Sequence, residues 1–333
     1  MKKKILLVGG GGYIGSVLVN YLLNKNYHVI CYDNFIYNHE YVVKNFSKRN
    51  FTFLKDSLKN INHYKKYFLN LDAVVMLASV VGDPITKKYP IFANEVNVKQ
   101  TKQFINSIVL HQPKKIIFVS TCSNYGVIKK KSLPVKENYK LNPKSIYAKN
   151  KVNIEKYLYS IRGKFKSEIS ILRFATAFGL SPRMRFDLTI NEFVRDIFIN
   201  KKIIVFDHLT WRPYCHVRDF AKVIFSILHK DVKRKKFEIF NVGSSKNNYT
   251  KIMILEKIKK YIKRFKIIYK KNSSDPRDYR VNFDKVKKYY KLGSFISIES
   301  GIKEIIKILK KRKYLNIADY PDRLGNYKIN EKS

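Results

Sequence analysis

The stretch Val8-Gly9-Gly10-Gly11-Gly12-Tyr13-Ile14-Gly15 decides the fold. It follows the apolar run Ile5-Leu6-Leu7-Val8 and opens an amphipathic segment that reaches Leu23, so it reads as strand, glycine turn and helix. Such a turn lets the backbone approach a pyrophosphate, whose charge is met by free N–H groups and by the positive end of the helix. The working glycines are Gly9, Gly12 and Gly15, each three residues from the next. Gly9 makes the tight turn, Gly12 leaves room for the phosphates, and Gly15 lets the helix pack on the strand. A run of four glycines also suits a loose loop, and what separates the two readings is the next strand. His28-Val29-Ile30-Cys31-Tyr32 ends at Asp33, 18 residues after Gly15. A carboxylate there takes both adenosine ribose hydroxyls and repels the extra phosphate of NADP, so NAD is the expected cofactor.

Outward from this unit the chain keeps alternating. Phe51-Thr52-Phe53-Leu54-Lys55-Asp56-Ser57 reads as a third strand, with Asp56 in reach of an adenine amino group. Leu71 to Ser79 has a continuous apolar centre that suits a strand buried on both faces of a parallel sheet, and its small end residues Ala78 and Ser79 leave space for a cofactor. A helix is predicted over Phe92 to Leu110 and a strand over Lys115 to Ser120, with Pro113 between them. Further helices are predicted over Tyr147–Ser160, Asp219–His229, Thr250–Phe265 and Glu299–Lys311, and strands over Glu168–Phe174 and Phe237–Val242. This alternation implies right-handed βαβ units, hence an α/β fold with a Rossmann-type doubly wound parallel sheet and a smaller C-terminal substrate-binding α/β part. The expected division is 1–175 for the dinucleotide-binding domain, 176–313 for the substrate-binding part with some return to the sheet, and 314–333 for a tail without period, a surface strap or partly disordered.

The 333 residues carry 68 Lys+Arg against 25 Asp+Glu, a net charge of +43. A surplus of that size ordinarily points to nucleic acid or an anionic membrane. Here the lysines are spread over nearly every helix, as in Lys257, Lys259, Lys260 and Lys263, amid Ile, Asn, Tyr and Phe, which reads as a composition bias filling solvated faces. Neither nucleic acid nor membrane is expected as a partner, although the positive field speeds the arrival of a polyanionic ligand. No apolar run approaches ~18 residues and the start lacks a signal-peptide pattern, so a cytoplasmic protein is expected. Cys31, Cys122 and Cys215 are too few and scattered for a disulfide framework or a zinc site, and no metal is expected.

Tyr147 and Lys151 stand four apart on the predicted helix and share one face. For a phenol to act as general base near neutrality its pKa must fall by about 3 units, roughly 4 kcal/mol of stabilisation of its anion. A neighbouring ammonium and a positive nicotinamide ring can supply most of that. The strand before the helix ends in Ser120-Thr121-Cys122-Ser123-Asn124-Tyr125-Gly126, which offers a hydroxyl at the carboxyl edge of the sheet, where such folds bind ligands.

With these residues in view, the chain from Ile5 to about Ile308 resembles the extended short-chain dehydrogenase/reductases, in particular the NAD-dependent epimerase/dehydratase family acting on nucleotide sugars. The resemblance implies pyrophosphate contacts from Gly9, Gly12 and Gly15, a ribose contact from Asp33, adenine contacts from Asp56 and Ser57, and a catalytic set of Thr121, Tyr147 and Lys151. It implies further cofactor contacts from Tyr13, Ile14, Asn34, Leu77 and Ala78, and substrate contacts from Thr176, Arg185, Asn191, Arg212 and Arg277. Trp211-Arg212-Pro213-Tyr214-Cys215-His216-Val217-Arg218-Asp219 resembles the family's segment whose first arginine holds the substrate diphosphate, and His216 is read as structural. A homodimer is the implied assembly.

Departures from the family pattern narrow the reaction. Val8 stands where Thr is frequent, Met76 where His is frequent, and Thr176 where a substrate-binding Asn is frequent; none of these removes a catalytic group. Beside Thr121, where sugar 4,6-dehydratases carry Asp-Glu and decarboxylating relatives carry Glu, stand Cys122 and Ser123, so dehydration lacks its acid and base. The segments Ser181 to Asp187 and Asp275 to Arg280 resemble a branch that includes sugar 4-epimerases and C4 dehydrogenases of GDP-linked heptoses. Cys122 after Thr121 resembles the Ser-Cys pair of GDP-fucose synthases, but without a counterpart to their histidine. The expected function is oxidation of C4 of a nucleotide-diphosphate sugar, with 4-epimerisation as the net reaction. A C4 dehydrogenase or 4-ketoreductase is the alternative, and a non-catalytic dinucleotide-binding protein the reading from another class.

Overall fold

A computed structural model describes residues 2–37, 40–128, 133–230, 236–270, 275, 277–311 and 324–329. Strands β1 (Lys4–Val8), β2 (His28–Asp33), β3 (Phe51–Lys55), β4 (Ala73–Met76), β5 (Lys115–Thr121) and β6 (Glu168–Phe174) alternate with helical segments. The first is α1 (Tyr13–Asn24), between β1 and β2. Short strands β7 (Thr176–Phe178), β8 (Lys202–Phe206) and β9 (Trp211–His216) follow, then β10 (Phe237–Val242), β11 (Asn248–Thr250) and β12 (Lys266–Lys270).

The main sheet has the order β10-β6-β5-β4-β1-β2-β3, and every pairing in it is parallel. The chain leaves β1 toward β2 on one side and reaches β4 on the other, so the sheet has its switch point between β1 and β4, where a crevice opens at the carboxyl ends. The apolar centres of β1, β4 and β5 are fully buried, as a strand covered by helices on both faces requires. Leu7, Val75 and Ile117 belong to the core on one face, while Leu6, Val74 and Ile116 belong to the core on the other.

Two regions depart from the sequence-based expectation. A short helix, α2 (Asp83–Lys88), comes first, and the single helix predicted over 92–110 is divided into α3 (Pro90–Asn94), a widened turn over Glu95–Gln100, and α4 (Thr101–Val109). Asn97 explains the widening, because its Oδ1 accepts from Ser79 Oγ (2.8 Å) and Val80 N (2.7 Å) while its Nδ2 donates to Val80 O (3.0 Å). Bonding the loop after β4 in this way draws the helix out of its regular pitch, and Thr101 Oγ1 donates five residues back to Val96 O. The helix predicted over 250–265 stops at Lys259, and Lys266–Lys270 pairs in parallel with β8 in a small separate sheet. At five residues each, KIIVF and KIIYK, these strands are too short to carry a distinct period in sequence.

Helix α5 (Ile146–Ser160) is pinned to the sheet by a buried ion pair. Arg173 on β6 donates through Nη2 to Glu155 Oε2 (2.7 Å), with Nε facing both carboxylate oxygens. Ser120 Oγ (2.5 Å) and Asn124 Nδ2 (2.8 Å) also donate to Glu155, while Arg173 Nη1 reaches Tyr125 OH and Glu137 O. A buried pair satisfied on every side fixes geometry, and losing one member strands the other charge. Glu155→Ala is therefore expected to lower unfolding stability by about 3–5 kcal/mol, read by urea denaturation at pH 7; a loss within error of zero would show that the pair does not hold α5 in place.

Candidate active site

A cleft of about 370 Å³ opens at the carboxyl edge of the sheet. Its first half is built by the turn after β1. Gly9 has φ +85°, and a Cβ there would lie 2.4 Å from Ala78 N; a Cβ on Gly15 would lie 2.2 Å from Gly9 O. The turn thus touches both the loop after β4 and its own helix with no space for a side chain. Gly12, Tyr13, Ile14 and Gly15 line the cleft at the start of α1, and Leu77 and Ala78 face them, both bonded through N–H to Val8 O. Asp33 sits at the end of β2, with Oδ2 accepting from Gly11 N (2.8 Å) and Oδ1 from Phe35 N (2.9 Å). Burial raises its pKa, while those N–H groups oppose the rise. Asn34, Asp56 and Ser57 continue the wall. Burial works against the Asp56 carboxylate, yet its pKa ends lowered, because Asn60 Nδ2 and Ser57 N (both 2.7 Å) donate to it. A side-chain-free cradle at a helix start, next to a held carboxylate, fits a dinucleotide.

The second group lies where β5 ends. Thr121, Tyr147 and Lys151 all line the same cleft. Ser145 caps α5 by accepting from Ala148 N, so Tyr147 and Lys151 fall in its first two turns. Lys151, 4% exposed, donates from Nζ to Val119 O (2.9 Å), with Nζ 5.7 Å from the centre of the Tyr147 ring. Thr121 Oγ1 accepts from Ser123 N. Cys122 turns the other way: it is buried, its thiol donates to Arg173 O (3.2 Å), and burial raises its pKa, so it stands as a packing residue.

Burial pushes the Tyr147 pKa up, opposed by the Arg185 guanidinium and reinforced by Asp83 and Tyr37. Lys151 itself is brought down to about 7 by burial, against the pull of Glu155. An ammonium near half-ionisation contributes little field of its own, so lowering of the phenol awaits a positive ligand or a fully charged Lys151.

The far end is cationic. Arg212 on β9 pairs through Nη2 with Asp275 Oδ2 (2.9 Å). Arg277 pairs with Asp275 (2.7 Å) and Asp83 (2.5 Å) and donates to Ser123 Oγ (2.9 Å). The two arginines hold Asp275 well below the usual carboxylate range, although burial works the other way. Arg185 is held by Asp187 (2.5 Å), and Thr176, Arg185, Arg212 and Arg277 all line the cleft. Asn191 is the one residue of the expected set that does not. It is fully buried, its Oδ1 accepts from Gly179 N, and its Nδ2 donates to Arg185 O and Tyr13 OH, so it supports the wall from behind. His216 is likewise internal, accepting from Arg218 N and contacting Glu304. Asp83, Lys251 and Asn326 line the cleft without a motif to announce them. Among the described residues no group of three or more His, Cys, Asp or Glu is placed to hold a metal, and no helix is long and apolar enough to cross a membrane.

A glycine cradle, a ribose-side carboxylate and a Thr-Tyr-Lys set in one cleft define a dinucleotide-dependent enzyme of the doubly wound class. The chain belongs to the NAD-dependent epimerase/dehydratase family, whose model matches residues 5–243, and NAD is its cofactor. It is 27% identical to the UDP-glucuronate 4-epimerase of Thermodesulfobacterium geofontis over 313 residues, covering 90% of this chain and 94% of that one. To the UDP-glucose 4-epimerase of Halalkalibacterium halodurans it is 27% identical over 269 residues, covering 75% and 78%. The crystal structure of UDP-glucose 4-epimerase from Thermotoga maritima with UDP-glucose shares the fold, with a TM-score of 0.81 at 24% identity over 93% of this chain and 99% of that one.

The lowered pKa of Lys151 has a consequence for stability. Because its folded value, about 7, lies below the unfolded value of about 10.4, unfolding takes up a proton between the two, and the folded state is penalised more as pH falls through that window. Lys151→Met removes the penalty, so its gain in melting temperature over the parent, both without cofactor, should be larger at pH 7 than at pH 10. Equal gains at the two pH values would mean that the ammonium is not desolvated.

Proposed function

We propose that this protein oxidises C4 of a nucleotide-diphosphate sugar with NAD, and that the net reaction is 4-epimerisation. The observation that carries this reading is the placement of Thr121, Tyr147 and Lys151 in one cleft, between the glycine cradle and the Arg212–Asp275–Arg277 cluster. NAD, when bound, supplies the redox step at C4. Tyr147 takes the proton of the C4 hydroxyl, Thr121 hydrogen-bonds the same oxygen, and Lys151 leaves Val119 O to hold the nicotinamide ribose. Arg212 clamps the substrate diphosphate, with Arg277 beside it, and a guanidinium's planar fork suits that anion. A 4-keto sugar that turns over while the diphosphate stays clamped is reduced on its other face, which gives the epimer. If it leaves instead, the protein is a C4 dehydrogenase or, in reverse, a 4-ketoreductase.

Dehydration has no support beside Thr121, since Cys122 bonds to Arg173 O and Ser123 accepts from Arg277, leaving neither acid nor base. We also place the protein in the cytoplasm as a homodimer; its three cysteines are free and buried, which suits a reducing compartment.

Tyr147→Phe keeps the ring but removes the proton acceptor, so sugar-dependent formation of the NADH absorbance band in a single turnover should slow by about 10²–10⁴-fold while NAD affinity hardly changes. Undiminished NADH formation in this variant would end the mechanism.

A further inference from the structure

Arg185 reaches across the cleft. It lies between β7 and the helix over Thr189–Asn200, and its backbone is held on both sides: Asn191 Nδ2 donates to Arg185 O (2.9 Å), and the next residue, Phe186, donates from N to Leu324 O (2.7 Å). Asp187 fixes the side chain, accepting from Nε at Oδ1 (3.0 Å) and from Nη2 at Oδ2 (2.5 Å). The buried guanidinium meets the opposite wall, where Nη2 lies 3.7 Å from the place a Gly82 Cβ would take. Gly82 precedes α2, α2 packs against α5, and Tyr147 is in the first turn of α5. The cleft thus brings the Arg185 guanidinium and the Tyr147 phenol together from two distant parts of the chain.

Several groups face that phenol. Burial works against its anion, Arg185 favours the anion, and Asp83 and Tyr37 oppose it. Asp83 is itself paired with Arg277, and Asp187 with Arg185. Lys151 Nζ stands 5.7 Å from the centre of the ring. The two cations beside the phenol differ in kind. Lys151 is brought down to about 7 by burial, against the pull of Glu155, so part of its population is neutral at neutral pH. Burial works against the charge of Arg185 as well, yet its pKa ends raised because Asp187 pairs with it, and a guanidinium keeps its proton throughout the working range.

A base that takes a hydroxyl proton must carry its negative charge beforehand. In the reaction proposed above, the Tyr147 phenolate accepts the C4 hydroxyl proton, the C4 hydride passes to NAD, and the C4–O bond becomes a carbonyl, so the phenol is neutral once the step is over. We propose that Arg185 is the standing cation that stabilises the Tyr147 phenolate before that step, with Asp187 and Asn191 as the positioning residues that hold it there. The inference rests on Tyr147 being the base of that reaction. A fixed charge in a cleft of low dielectric acts across the gap without touching the phenol, and its position is paid for by the fold rather than at the moment of reaction.

The test is a difference titration of the full chain with NAD bound, which needs no sugar. Tyrosinate absorbance is followed from about pH 6 to about pH 10 in the parent and in Arg185→Met, each minus the same protein carrying Tyr147→Phe, so that only Tyr147 remains. The Tyr147 band should appear about one pH unit higher in Arg185→Met, an about tenfold smaller phenolate population at a given pH, with NAD affinity by calorimetry unchanged. Arg185→Lys keeps the charge and should recover most of the shift. Equal midpoints in the parent and Arg185→Met would overturn the proposal. So would a parent Tyr147 that ionises no earlier than an ordinary tyrosine, or a shift that comes with a loss of NAD affinity, which signals a distorted site. Should Arg185→Met not fold because Asp187 is left unpaired, Arg185→Gln combined with Asp187→Asn removes both charges and decides by the same comparison. Failure of the reaction itself shows separately: no NADH from any nucleotide sugar with the parent would sink that reading, whatever the titration gives.

Discussion

A parallel sheet covered on both faces can meet a ligand only at its edges, and here the carboxyl edge is opened by the contact between Gly15 and Gly9. With 2.2 Å between a Gly15 Cβ and Gly9 O, helix α1 sits against the turn at a distance no other residue permits. That contact sets the start of α1 at the β1–β4 switch point, and several further residues lining the cleft end or follow neighbouring strands. Asp33 ends β2, Asp56 follows β3, Leu77 and Ala78 follow β4, Thr121 ends β5, and Thr176 begins just past β6. The site is thus a consequence of strand order, and the buried Glu155–Arg173 pair sets the height of α5 above it.

Electrostatics in the cleft differ in kind from the charge of the whole chain. A net +43 spread over solvated lysines is screened within about a Debye length of ~8 Å at physiological salt. The cleft instead holds cations that are buried and matched: Arg185 to Asp187, Arg212 and Arg277 to Asp275. Lys151 is held by a carbonyl oxygen, with a pKa brought down to about 7. Burial thus acts on both Tyr147 and Lys151 against their charged forms.

The sheet, the glycine turn and the grouping of Thr121, Tyr147 and Lys151 were legible in sequence because each is written in short-range pattern: apolar strands, glycines three apart, Tyr and Lys four apart on a helix. The strands Glu168–Phe174 and Phe237–Val242 have the predicted bounds for the same reason. What stayed hidden depends on contacts distant in sequence. Asn97 widens its helix by bonding to Val80, 17 residues away, and Asn191 is buried by partners at Gly179, Arg185 and Tyr13. The 314–333 tail has no period, yet Asn326 meets Val81 across 245 residues; 314–323 and 330–333 lie outside the described residues. The direction of the Tyr147 pKa was also out of reach, since it follows from burial and from Arg185 and Asp83, which sequence does not place beside it.

The central claim is that this cleft carries out reversible oxidation at C4 of one bound nucleotide sugar. Its most direct test follows a nucleotide sugar deuterated at C4, in the nucleotide series found to bind, through incubation with the enzyme in ordinary water and analysis of the recovered sugar by NMR. The account predicts the 4-epimer with its deuterium still at C4, because the same atom leaves and returns within the closed site. Loss of that deuterium to solvent, or inversion at a carbon other than C4, would contradict it.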